Sequence, residues 1–150
     1  MGNTFGVGRE APRFELIAHD GSRVSLSQYR GDWFPVIVFL DPDAAAAVSA
    51  LSAAADQLYG ERGQLVGIVH ADADATRALA DQAERAEFPL LADPDAAVAR
   101  SFGVYDAAAA RVRPFAAIVD RAGKIVWTAD AGTAAVKPAA LVAALRTVAR

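Results

Sequence analysis

At 150 residues, 54% hydrophobic and 22% charged, the chain is long enough for one domain with a substantial core and too apolar for disorder. Its formal charge of −3, with acids and bases interleaved, offers no basic stripe to nucleic acid and no polybasic patch to anionic lipid. The absence of any cysteine excludes disulfides, thiolate metal ligands and thiol nucleophiles together.

Met1-Gly2-Asn3-Thr4-Phe5-Gly6 has neither the basic-then-apolar layout of a secretory leader nor the hydroxyl residue of a myristoylation site, so a cytoplasmic protein is expected. Gly6-Val7-Gly8 precedes a strand rather than following one, which is the wrong order for a dinucleotide-binding turn. Residues 13–18 predict a strand, Asp20-Gly21 a turn and residues 23–25 a second strand, making an N-terminal hairpin.

Phe34-Pro35-Val36-Ile37-Val38-Phe39-Leu40 is apolar throughout, as a parallel strand covered on both faces must be, and it is far short of the roughly 20 residues of a membrane-spanning helix. A site is expected at its end. Residues 43–59, alanine-rich with Val48, Leu51 and Leu58, predict a helix capped by Asp43 and stopped by Gly60 or Gly63. A buried strand over 64–70, a helix over 74–87, an extended segment over 88–92 and a helix over 95–102 capped by Asp93 or Asp95 follow.

Residues 115–119 and 124–128 read as a hairpin around Asp120-Arg121-Ala122-Gly123, and 138–150 as an amphipathic helix with Leu141, Leu145 and Val148 on one stripe. The order β-β, βαβα, β-β-α implies a single α/β domain over 1–150: a mixed central β-sheet with helices on both faces and an N-terminal β-hairpin. No internal repeat or linker interrupts it.

Several segments, in order, resemble one family. Gly8-Arg9-Glu10-Ala11-Pro12-Arg13-Phe14-Glu15-Leu16 is similar to the entry segment of the peroxiredoxins, the alkyl hydroperoxide reductase and thiol-specific antioxidant family. His19-Asp20-Gly21-Ser22-Arg23-Val24-Ser25-Leu26 resembles the hairpin that follows there. Leu90-Leu91-Ala92-Asp93-Pro94-Asp95, Phe102-Gly103-Val104 and Ile118-Val119-Asp120-Arg121-Ala122-Gly123-Lys124-Ile125 resemble later pieces. The resemblance spans nearly the whole chain and implies a thioredoxin-like fold with an antioxidant, oxidoreductase label.

In that family the central strand leads through a Pro and a Thr to a peroxidatic Cys on the first turn of the next helix. There, helix N–H groups and a nearby Arg stabilise the thiolate and hold the peroxide. The family's spacing, counted from Pro42, places Ala46 at the Thr and Ser49 at the Cys. A serine hydroxyl is essentially un-ionised at neutral pH without an adjacent base, and oxygen has no sulfenic acid chemistry. The family's Arg falls by strict count on Pro114, with Arg113 one residue away. Related thioredoxin-like proteins place a cis-proline here, so a cis Arg113–Pro114 bond stands as an expectation against a low general frequency.

Two functional expectations follow from these positions. One is a peroxiredoxin-family domain without thiol peroxidase activity, a redox-silent binding or regulatory module acting as a homodimer or with another protein. The other is a non-thiol enzyme: Asp41-Pro42-Asp43 after the apolar strand has the residue types of phosphotransferases that pair an aspartate nucleophile with a second aspartate and magnesium. Asp72 and Asp74 read as turn and cap residues rather than metal ligands, His19 and His70 as a turn residue and a strand end, and neither a metal nor a cofactor is expected. Arg77, Glu84 and Arg85 read as a solvated helix face, and Trp33 and Trp127 as packing.

Overall fold

A computed structural model of the chain describes residues 7–83, 86–130 and 137–148. A hairpin of β1 (Glu15–Ile17) and β2 (Arg23–Ser25) leads through a short 3-10 helix, Leu26–Tyr29, to β3 (Phe34–Leu40). Then come α1 (Ala45–Gly60), β4 (Gly63–Val69), α2 (Ala73–Gln82), β5 (Leu90–Ala92) and α3 (Ala97–Ser101). A small hairpin of β6 (Tyr105–Asp106) and β7 (Arg111–Val112) precedes β8 (Phe115–Val119), β9 (Ile125–Asp130) and α4 (Pro138–Val148).

The main sheet has the order β5-β4-β3-β8-β9, with β3, β4 and β5 parallel and β8 and β9 antiparallel to their neighbours. All seven residues of β3 are buried because the strand is central and covered on both sides. Alternation divides its side chains. Ile37 and Phe39 join Val66, Ile68, Ala117, Val119, Val98 and Phe102 beneath α3 and the N-terminal segment. Val36, Val38 and Leu40 face α1, α2 and α4 through Leu51, Leu58, Leu79, Leu141 and Leu145. Helices therefore cover both faces of a mixed sheet, as the element order implies.

Local boundaries differ where the capping chemistry differs from the sequence expectation. Asp43 does not cap α1: the Asp41 carbonyl accepts the Ala44 N–H at 3.1 Å, which places Asp43 inside the turn and Ala44 at the cap. Neither expected glycine stops that helix at its far end. It runs through Gly60, Arg62 takes the left-handed conformation at φ 67°, and Gly63 opens β4. A Cβ on Gly63 would collide with the Leu145 side chain, so packing rather than turn geometry selects glycine there.

Asp72 caps α2, its Oδ1 accepting the Ala75 N–H at 2.8 Å, and Asp74 lies in the first turn. The helix ends at Gln82 rather than at 87; Glu84 and Arg85 lie outside the described residues. Phe88, which precedes Pro89 and is thereby biased away from helix, is buried instead beside Leu90. For α3 neither Asp93 nor Asp95 stands at the cap, but the Asp93 carboxylate still bonds the N–H groups of the first turn. Asp93, 2% exposed, accepts the N–H groups of Val98 and Ala99 at 3.1 Å each, while Ala96 stands at the cap position with φ 55°.

The β6–β7 hairpin has no counterpart in the sequence reading. Its loop is Ala107-Ala108-Ala109-Ala110, which carries no turn residue, yet Ala110 adopts φ 54°. The Asp106 carboxylate holds it by accepting the Ala108 and Ala109 N–H groups at 3.1 and 3.2 Å. The Arg113–Pro114 bond is trans, which corrects the cis expectation; no described peptide bond is cis. The Arg113 N–H bonds to the Val104 carbonyl at 2.8 Å, so ordinary extended chain carries the segment into β8. No described helix is long and apolar enough to cross a membrane.

Candidate functional site

The carboxyl ends of β3 and β4 open toward the β6–β7 hairpin. There the strand end at Leu40, the turn Asp41-Pro42-Asp43, His70 and the hairpin residues Ala110, Arg111 and Val112 line a cleft of about 430 Å³. A neighbouring cleft of about 330 Å³ is lined by Asp41, Asp106, Ala109, Arg111, Val112, Arg113 and Pro114. Asp41, Arg111 and Val112 belong to both, so the two spaces share one wall.

That wall is closed by an ion pair: Arg111 Nη2 donates to Asp41 Oδ2 at 2.9 Å, across 70 residues of sequence. Arg113 Nη2 donates to the Gly103 carbonyl at 3.2 Å. His70 meets the Tyr105 ring edge-on, centroids 5.6 Å apart, and the Arg100 guanidinium lies 4.6 Å from the centroid of the same ring. An aromatic stack thus ties the end of β4 to α3 and the small hairpin.

The positions singled out from sequence are not all gathered here. Pro42, Asp41, Asp43, Arg113 and Pro114 border the clefts, whereas Ala46 and Ser49 line neither of them. Since α1 begins at Ala45, Ser49 is half-buried in the second helical turn. A backbone N–H at that depth points to the carbonyl four residues back, so the unpaired N–H groups of the helix start are not directed at Ser49.

Asp41 and Asp43 do sit together in the larger cleft, but the Asp41 carboxylate is engaged by Arg111. Among the described residues no group of three or more His, Cys, Asp or Glu side chains converges as a metal site would require. His19 serves the architecture, its Nδ1 accepting the Leu90 N–H at 3.1 Å and joining the N-terminal hairpin to β5. Trp33 and Trp127 are half-buried against the two cores, consistent with packing.

Outside the clefts, the Ser22 hydroxyl and N–H both donate to Asp20 and hold its carboxyl below the ordinary 3.8, while burial raises the Tyr29 phenol above 10.0. Sequence reasoning missed Arg111, the cation paired with Asp41. The available signal was the Arg111-Val112-Arg113 alternation, which in extended chain puts two cations on one side.

Residues 7–128 match the AhpC/TSA family. A relative from Haemophilus influenzae, named as the peroxiredoxin bcp, is 34% identical over 107 residues, covering 69% of this chain and 68% of that protein. Among solved structures, Enterococcus faecalis AhpC superposes with a TM-score of 0.88 at 20% identity, over 97% of this chain and 93% of the other. The peroxidoxin BcpB of Mycobacterium tuberculosis gives 0.80 at 22% identity, over 96% and 98%. At those identities the structural likeness speaks for the fold alone, and the fold is thioredoxin-like.

Proposed function

The chain belongs to the AhpC/TSA family, and from that premise we propose that it is a redox-silent member, a binding or regulatory module that keeps the family's architecture without thiol peroxidase chemistry. The observation that carries this reading is the complete absence of cysteine from the 150 residues. Peroxide reduction by this family's route consumes a thiolate and forms a sulfenic acid, and no side chain here can do either. Ala46 and Ser49 at the expected Thr and Cys positions, and Arg113 displaced by one from the Arg position, mark a site whose parts have changed together.

A cytoplasmic setting belongs to the same reading, since a fold with two well-filled cores needs no disulfide. Association with a second copy or another protein is the mode of action proposed.

The test is peroxide consumption by the purified chain with dithiothreitol, and separately with a thioredoxin reducing system. No turnover above the protein-free background is expected. Turnover above it would overturn the reading.

A further inference from the structure

Two guanidinium groups border the smaller cleft. Arg111 and Arg113 stand on either side of Val112, and both line the 330 Å³ space with Asp41, Ala109, Val112 and Pro114. Arg113 is tethered beside the cleft by its bond to the Gly103 carbonyl. The Asp106 carboxylate, the other acid of this wall, is turned onto the N–H groups of its own loop.

Arg111 has as its partner the carboxylate of Asp41, at 2.9 Å, with the two side chains 63% and 42% exposed. A pair that open to water is screened, and its bias toward the closed arrangement is at most about two- to fivefold. A ligand carboxylate reproduces the bond Asp41 makes, and the planar guanidinium fork suits it geometrically. Beside the cations, Ala109, Val112 and Pro114 offer apolar surface. The volume is at the small end of the range for small-molecule sites, roughly 300–1,000 Å³.

We propose that this cleft binds a small carboxylate with a short apolar body, a ligand class that rests on the reading of the protein as a binding module. The ligand carboxylate replaces Asp41 on Arg111, the body lies on Val112 and Pro114, and Asp41 acts as an internal competitor. Asp41, once released, is left on the side of the 430 Å³ cleft, with Arg111 and Val112 still standing between the two spaces.

Butanoate is the probe, titrated into the full chain and followed by backbone amide NMR shifts, with butanamide as the uncharged isostere and inorganic phosphate as the other oxoanion. Butanoate should shift the amides of Arg111, Val112 and Arg113 saturably, butanamide should not, and phosphate should bind more weakly than butanoate. Arg111→Gln should weaken butanoate about tenfold, whereas Asp41→Asn should tighten it about two- to fivefold. Arg111→Lys, with a thermal melt for each variant, separates loss of binding from loss of fold.

Equal binding of butanamide, tighter binding of phosphate, or unchanged affinity in a folded Arg111→Gln variant would overturn the proposal. So would absence of binding even to Asp41→Asn. Failure of butanoate together with silence in the peroxide assay rejects this site and leaves the redox-silent reading standing; peroxide turnover removes that reading whatever butanoate does.

Discussion

Ser49 stands inside α1, one turn beyond the helix start, where the backbone N–H groups are already committed to carbonyls of the preceding turn. Restoring sulfur alone should therefore leave chemistry absent. Ser49→Cys is expected to give a thiol titrating near the ordinary value of about 8.5 or above, and peroxide reactivity no faster than a simple thiol. Ultraviolet thiolate absorbance against pH checks the first and stopped-flow peroxide consumption the second; a thiol ionised at neutral pH would contradict this placement. Tyr29 supports a second expectation. Burial raises its phenol above 10.0, so the folded chain holds this proton more tightly than the unfolded chain does. The stability it contributes is complete below about pH 10 and is lost as pH rises through the folded value. Tyr29→Phe should flatten that alkaline decline, seen as a smaller fall in denaturant midpoint between about pH 9 and 11.

At the level of elements, two glycine questions have opposite answers. Gly67 in β4 has no room for a side chain, since an added Cβ would lie 2.8 Å from Leu90, 3.0 Å from Phe88 and 3.1 Å from Leu40. Gly67→Ala should destabilise by about 1–3 kcal/mol through overpacking, measured by denaturant unfolding. Arg62, exposed and left-handed after α1, occupies a position that glycine fills without strain. Arg62→Gly should stabilise by roughly 0.5–1 kcal/mol, read from the same unfolding curves. These elements also show what local sequence can reveal. Phe34–Leu40 is legible because burial on two faces removes every polar residue, and Asp72 because a side-chain cap acts three residues away. The start of α1 is not, because alanine carries no cap chemistry and the Asp41–Ala44 backbone bond leaves no mark on side-chain type, and the β6–β7 hairpin is not, because a lone Asp106 holds a loop of four alanines without any turn residue.

For the whole molecule, the family and its thioredoxin-like architecture are legible because motifs spread over most of the chain have to occur in order. The cleft is legible only in part. Asp41, Pro42 and Arg113 can be named from spacing, but the Arg111–Asp41 pairing spans 70 residues and depends on how a hairpin folds over the sheet. The absence of cysteine has its own global consequence: apart from Met1 the chain contains no sulfur. Its melting temperature should be the same with dithiothreitol, without it, and after brief exposure to dilute hydrogen peroxide, as differential scanning fluorimetry can check. A shift under reductant would require a chemistry this sequence does not carry. The start of α1 at Ala45, a full turn ahead of Ser49, reaches further, into the paths mutation can follow. Recovering a peroxidase would require a cysteine, a threonine and an unwound first turn at once. Cysteine alone adds only an ordinary thiol, and unwinding alone gives up helix stability, so neither step by itself restores activity. A few alanines at the head of one helix act as a ratchet, leaving innovation a shorter road than reversal.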